Sequence, residues 1–162
     1  MLKLIQLFPL FACLAILGCA SSQSVLNVRE ISGYDSSKEE HIIFLNLKIS
    51  EGKPEKVKLV SATSGNGKMK NLRPAVDYPY QIKVIPRYNS NRLETEMVFE
   101  HPLYKLVEVP HEDGKLSKSA QEAKEGTLLV RFQEDKTMER IEFYSVTPER
   151  GSVKIYTLEL KI

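Results

Sequence analysis

Between residues 41 and 50 the chain reads HIIFLNLKIS, and Ile43, Leu45, Leu47 and Ile49 recur at every second position. A period of two is the repeat of a pleated strand, so these four side chains share one face of it. Ile42 and Phe44 make the other face apolar at its first half, as expected for a strand in the middle of a sheet. A pattern of this kind commits the surrounding chain to supplying partner strands, and the sequence offers them at short intervals.

Residues 51–54 (EGKP) turn the chain, and residues 56–63 (KVKLVSAT) run back. Asn66-Gly67 is a hairpin signal that predicts pairing of this strand with residues 68–72. Pro74 and Pro79 bracket a connection. Residues 80–87 then pair with residues 92–99 across Tyr88-Asn89-Ser90-Asn91. The predicted register sets Ile82 against Met97, Val84 against Thr95 and Pro86 against Leu93. The opposite face carries Lys83 across from Glu96, with Arg87 and Glu94 nearby. Residues 103–109 add a strand, and residues 25–31 (VLNVREI) supply a weakly patterned first one. Residues 111–125 (HEDGKLSKSAQEAKE) break the β pattern. Ser119 and Glu122 have capping-box spacing there, which allows one short surface helix or a loop.

The C-terminal third reads as a three-stranded meander. A turn at residues 134–137 sets Val130 against Ile141 and Leu128 against Phe143. A second turn, Pro148-Glu149-Arg150-Gly151, sets Ile141 against Leu158 and Phe143 against Tyr156. The sum is an all-β chain of about eight to ten strands, read as a two-sheet sandwich of immunoglobulin-like or transthyretin-like type. The alternative is a small up-and-down barrel of lipocalin type, which needs the same alternation.

The N-terminus has a different pattern. Lys3 gives a positive start, residues 4–17 are apolar except for Gln6 and Pro9, and Gly18-Cys19 follows. That is the layout of a secretory signal, and the run is too short for a spanning helix. The tetrad Ile16-Leu17-Gly18-Cys19 resembles the lipobox of bacterial lipoproteins. The resemblance implies cleavage before Cys19, a diacylglyceryl group on its sulfur and acylation of the new amine. Ala20 follows in place of an aspartate, which by the same resemblance implies forwarding to the outer membrane, facing the periplasm. Residues 1–18 are thus read as signal, 19–24 as lipidated cysteine and polar tether, and 25–162 as one β domain.

Lys and Arg number 23 against 21 Asp and Glu, for a formal net charge of +2, of which Lys3 leaves with the signal. So even a balance argues against a nucleic-acid binder. Cys13 lies in the signal and Cys19 carries lipid, which leaves the mature domain without disulfide or thiol chemistry. Gly65-Asn66-Gly67-Lys68 lacks the first glycine of a phosphate loop, and Met69 stands where a hydroxyl would meet magnesium, so no nucleotide is expected. His41, His101 and His111 show no metal-ligand spacing, and no cofactor or metal is expected. No serine stands in a nucleophile elbow, and the carboxylates Glu94, Glu96 and Glu100 share a solvent face.

What remains is a basic run, Lys56, Lys58, Lys68, Lys70 and Arg73, of which Lys56, Lys58 and Arg73 share a face in the expected pairing. It reads first as lysines guarding a sheet edge in solvent. The alternative is a patch for anionic headgroups, lipopolysaccharide phosphates or an acidic partner protein. Tyr34, Tyr78, Tyr80, Tyr88 and Tyr104 lie at or near strand ends, where tyrosines close a sandwich core with the hydroxyl outward or line a ligand site. The expected role is a non-catalytic binding or scaffolding module, anchored in the membrane and meeting an envelope protein. The alternative is a carrier of an apolar ligand in a barrel lined by Ile43, Leu45, Ile82, Val130 and Phe143. A scattered active site would have to join two of the histidines to carboxylates.

Overall fold

The computed structural model describes residues 22–70, 76–110 and 116–162. The signal segment, Cys19, Arg73 and His111 lie outside them. Ten strands are described: β1 (Ser22–Asn27), β2 (His41–Ser50), β3 (Lys56–Asn66), β4 (Gln81–Tyr88), β5 (Met97–Glu100), β6 (Tyr104–Pro110), β7 (Leu116–Glu122), β8 (Glu125–Gln133), β9 (Met138–Thr147) and β10 (Gly151–Lys161). A single 3-10 turn, Val28–Glu30, follows β1.

The strands form two main sheets. The larger runs β1-β10-β9-β4-β5, the smaller β3-β2-β8, and β6 pairs with β7 as a separate two-stranded ribbon. Neither main sheet closes on itself, so the architecture is a sandwich and not a barrel. The alternation of β2 explains the packing: His41, Ile43, Leu45, Leu47 and Ile49 are buried, and the residues between them are half-buried or exposed. Leu128, Val130 and Phe132 of β8 extend that inner face. Ile82, Val84, Ile141, Phe143, Tyr156 and Leu158 answer it from the larger sheet, and all join one core.

Several expected elements differ in the structure. The first strand begins at Ser22 and not at Val25, because residues 22–27 add to the edge of β10 in parallel. The polar residues Ser22, Gln23 and Ser24 are therefore strand and not tether. The Asn66-Gly67 signal makes no hairpin: β3 ends at Asn66, Lys68–Lys70 is not strand, and the hydrogen bond from Gly67 N goes to Glu40 O at 2.9 Å. Gly67 still takes the left-handed conformation such a pair favours, at φ 124°. β4 and β5 pair with Val84 opposite Met97 and Ile82 opposite Phe99, two residues from the expected register. A slip of two preserves the face, so Lys83 still reaches Glu96 at 2.9 Å and Arg87 still pairs with Glu94.

Residues 116–122 are strand where a helix or loop was expected. Their partner is β6, with Tyr104 opposite Glu122 and Val109 opposite Ser117. β8 departs furthest. It does not pair with β9; it joins the smaller sheet, with Val130 opposite Leu45 and Leu128 opposite Leu47. The connection at residues 134–137 therefore crosses between sheets, a step of about 10 Å that four residues span. Asp135 Oδ1 accepts from Thr137 N at 2.8 Å and from Thr137 Oγ1 at 2.7 Å, which fixes that turn. The second half of the meander matches expectation, with Ile141 opposite Leu158 and Phe143 opposite Tyr156.

Candidate functional site

The basic run is divided by the fold. Lys56 and Lys58 lie exposed on β3, which is an edge strand of the smaller sheet. Lys68 lies at the far end of the hairpin, where it pairs with Glu40 at 3.3 Å. Arg73 lies outside the described residues. In exchange β2 brings Lys48 directly opposite Lys58, with Ser50 opposite Lys56. Like charges in register disfavour a sheet unless an anion offsets them. Glu125 of β8 supplies part of the offset through an exposed ion pair with Lys48 at 2.6 Å. Lys56 and Lys58 have no ion pair among the described residues. A turn confined to residues 51–54 would set Lys48 opposite Val57; the connection is one residue longer, residues 51–55, and that brings Lys48 opposite Lys58.

The same outward face carries apolar side chains. Phe44 is 42% exposed and Leu129 69%. With Asn46, Ser61, Thr63 and Arg131 they line a shallow depression of about 400 Å³. By contrast Ile43, Leu45, Ile82, Val130 and Phe143, the side chains expected to line a lumen, are at most 2% exposed and belong to the packed core.

Two buried polar clusters close the ends of the sandwich. At one end Glu55, His101 and Ser145 are 3%, 1% and 1% exposed. His101 Nδ1 accepts from Leu103 N at 3.2 Å, so Nε2 carries the proton and donates to Ser145 Oγ at 3.1 Å. Ser145 Oγ in turn donates to Glu55 Oε1 at 3.1 Å, and Arg150 pairs with the same oxygen. In a hydrolase the imidazole takes the serine proton; here the imidazole donates to the serine, so His101 cannot serve as its base, and the acceptor is a carboxylate already paired with Arg150. Burial pushes the His101 pKa down to about 4, and the ring stays neutral. Burial pushes Glu55 up, but hydrogen bonds from Arg150 outweigh it and hold the carboxyl below its usual range. Glu55 Oε2 is buried without a partner.

At the other end His41 Nδ1 meets Glu134 Oε2 at 2.6 Å, and Nε2 meets the Asp35 carbonyl at 2.8 Å. Tyr34 stacks on the ring at 4.2 Å and donates to Glu134 Oε1 at 3.2 Å. Each of these histidines thus meets a carboxylate, but at opposite ends of the β2–β3 hairpin and not in one site. Among the described residues no group of three or more His, Cys, Asp or Glu is placed to hold a metal ion.

The tyrosines follow the same two ends. Tyr80 stacks on Tyr104 at 4.4 Å, and Tyr78 donates to the Tyr104 carbonyl at 3.2 Å, beside His101. Tyr88 receives the Arg92 guanidinium at 4.9 Å, on the side of His41. Tyr104 also borders a cleft of about 540 Å³ with Glu51, Lys53, Glu55 and Glu122.

No protein-family model matches the chain, and no curated protein or solved structure matches it. The functional reading therefore rests on the residues themselves. No helix among the described residues is long and apolar enough to cross a membrane.

Proposed function

We propose that this chain is a bacterial envelope lipoprotein, held through acyl chains on Cys19, whose sandwich serves as a non-catalytic binding or scaffolding module at the membrane. The periplasmic face of the outer membrane is its place in this reading, and an envelope protein its partner. The observation that carries it is the tetrad Ile16-Leu17-Gly18-Cys19 closing an apolar run, three residues before the first described strand begins at Ser22. Each buried methylene of an acyl chain contributes about 0.8 kcal/mol, so two or three chains give a stable anchor. The non-catalytic half of the reading is supported by the proton order in the Glu55–Ser145–His101 cluster, in which His101 cannot serve as the serine's base.

Density-gradient fractionation of cells tests it. The wild type is expected with the outer-membrane fraction, and Cys19→Ala either with the inner membrane, its signal uncut, or in soluble form. Wild type found in soluble fractions would overturn the anchor.

A further inference from the structure

The path of β1 fixes where the anchor meets the domain. Ser22 pairs in parallel with Tyr156, and its hydroxyl donates to the carbonyls of Ile155 at 3.4 Å and Val57 at 3.5 Å. Val57 is the residue between Lys56 and Lys58. Cys19 precedes Ser22 by three residues, a reach of at most about 11 Å. The lysines flanking Val57 therefore lie beside the point from which the three-residue lead to Cys19 departs.

Charge at this place is suited to that leaflet. Lys56 and Lys58 point to solvent, make no ion pair among the described residues, and add to Lys48 in register across the sheet. Three ammonium groups then share one small face, with Glu125 bound to Lys48 as the acid on it. The turn beside them adds Lys53 and Glu51, and the junction of β7 and β8 adds Glu122 and Lys124, whose charges offset each other. Three lysines against one glutamate leave this face net positive, which is unfavourable within the sheet and favourable against an anionic surface.

We propose that Lys56 and Lys58, with Lys48, form the surface through which the domain contacts the phosphates of anionic phospholipids in the leaflet that holds Cys19. This rests on the anchored-lipoprotein reading. It gives the sandwich a set orientation, with the Lys56 end down and the turn at residues 134–137 away from the membrane.

The test uses the full acylated chain in two kinds of vesicle, phosphatidylcholine alone and phosphatidylcholine with added phosphatidylglycerol. Flotation with phosphatidylcholine reports the anchor by itself, since those headgroups carry no net charge. A water-soluble amine reagent, read lysine by lysine by mass spectrometry, reports the contact. Lys56 and Lys58 are expected to label about fivefold more slowly in the anionic vesicles, the weight of one lysine at an anionic surface. Added salt is expected to erase that difference. Lys136 and Lys161 are expected to label equally in both. A chain that floats yet labels equally at Lys56 and Lys58 overturns the headgroup contact and leaves the anchor standing. Slow labelling produced by inorganic phosphate in phosphatidylcholine vesicles overturns it in favour of a soluble anion. A chain that fails to float overturns the anchor and this contact together.

Discussion

The two ends of the sandwich are closed by the same device, a buried histidine joined to a carboxylate, and the two are wired differently. At the Glu55 end His101 accepts through Nδ1 and donates through Nε2, so a neutral ring satisfies both nitrogens. At the far end both nitrogens of His41 face oxygens that accept, Glu134 and the Asp35 carbonyl. One end is thus built around a neutral imidazole beside an Arg150–Glu55 pair, and the other around a histidine–glutamate pair with a stacked tyrosine. The comparison shows that a buried histidine's role follows from the hydrogen-bonding partners around it and not from its burial.

The largest effect is expected from breaking the Glu55–Arg150 pair. Glu55→Ala removes two charge-assisted hydrogen bonds, from the buried Ser145 and from Arg150, at a cost of about 3–5 kcal/mol in urea unfolding. Glu134→Ala at the other end removes the acceptor of both His41 and Tyr34, at about 2–3 kcal/mol. Equal losses would mean that the two ends are energetically alike in spite of their wiring.

A pH titration of stability sharpens the comparison. A histidine held neutral, with a pKa of about 4 in the fold against 6.5 unfolded, binds its proton more readily in the unfolded chain. Its contribution is full above pH 6.5, falls between pH 6.5 and 4, and is gone below, a loss of about 3 kcal/mol. His101→Asn is expected to remove this slope. Glu142 occupies a separate window. Burial pushes its carboxyl up, but Arg87 and Tyr144 bring it down to about 2 from 4.5. Its contribution is present above pH 4.5 and lost between pH 4.5 and 2. A slope between pH 6.5 and 4 that persists in His101→Asn would refute the assignment.

The smallest effect is expected on the outer face. Lys58→Ala relieves its apposition to Lys48 and is expected to change stability by no more than about 0.5 kcal/mol. A large loss there would make Lys58 a structural residue and weaken its role as a contact.

How much of this was legible in the sequence follows from the physics of each element. Alternation states which residues face inward, and so the inner faces of β2, β8, β9 and β10 were readable. It does not state which sheet a strand joins. β8 carries the same inward triplet whether it lies beside β9 or beside β2, and the second arrangement gives β2 a partner on both sides. The β9–β10 pairs at the core match expectation through two offsetting departures: the turn sets Gly151 opposite Thr147, one residue tighter than expected, and a bulge between Lys154 and Tyr156 restores Phe143 to Tyr156. β7 was not, since LSKSAQE has no apolar period and its strand conformation comes from β6. The Glu55–Ser145–His101 cluster was also hidden: Glu55 and Ser145 are 90 residues apart and meet only through the fold.

The account depends most on Cys19. The direct measurement is the intact mass of chain extracted from membranes, wild type beside Cys19→Ala. A wild-type mass equal to residues 19–162 plus two or three acyl chains, with that added mass absent from the variant, is the predicted result. A wild-type mass without acyl groups, or one matching cleavage elsewhere, would contradict it and detach the basic face from any membrane.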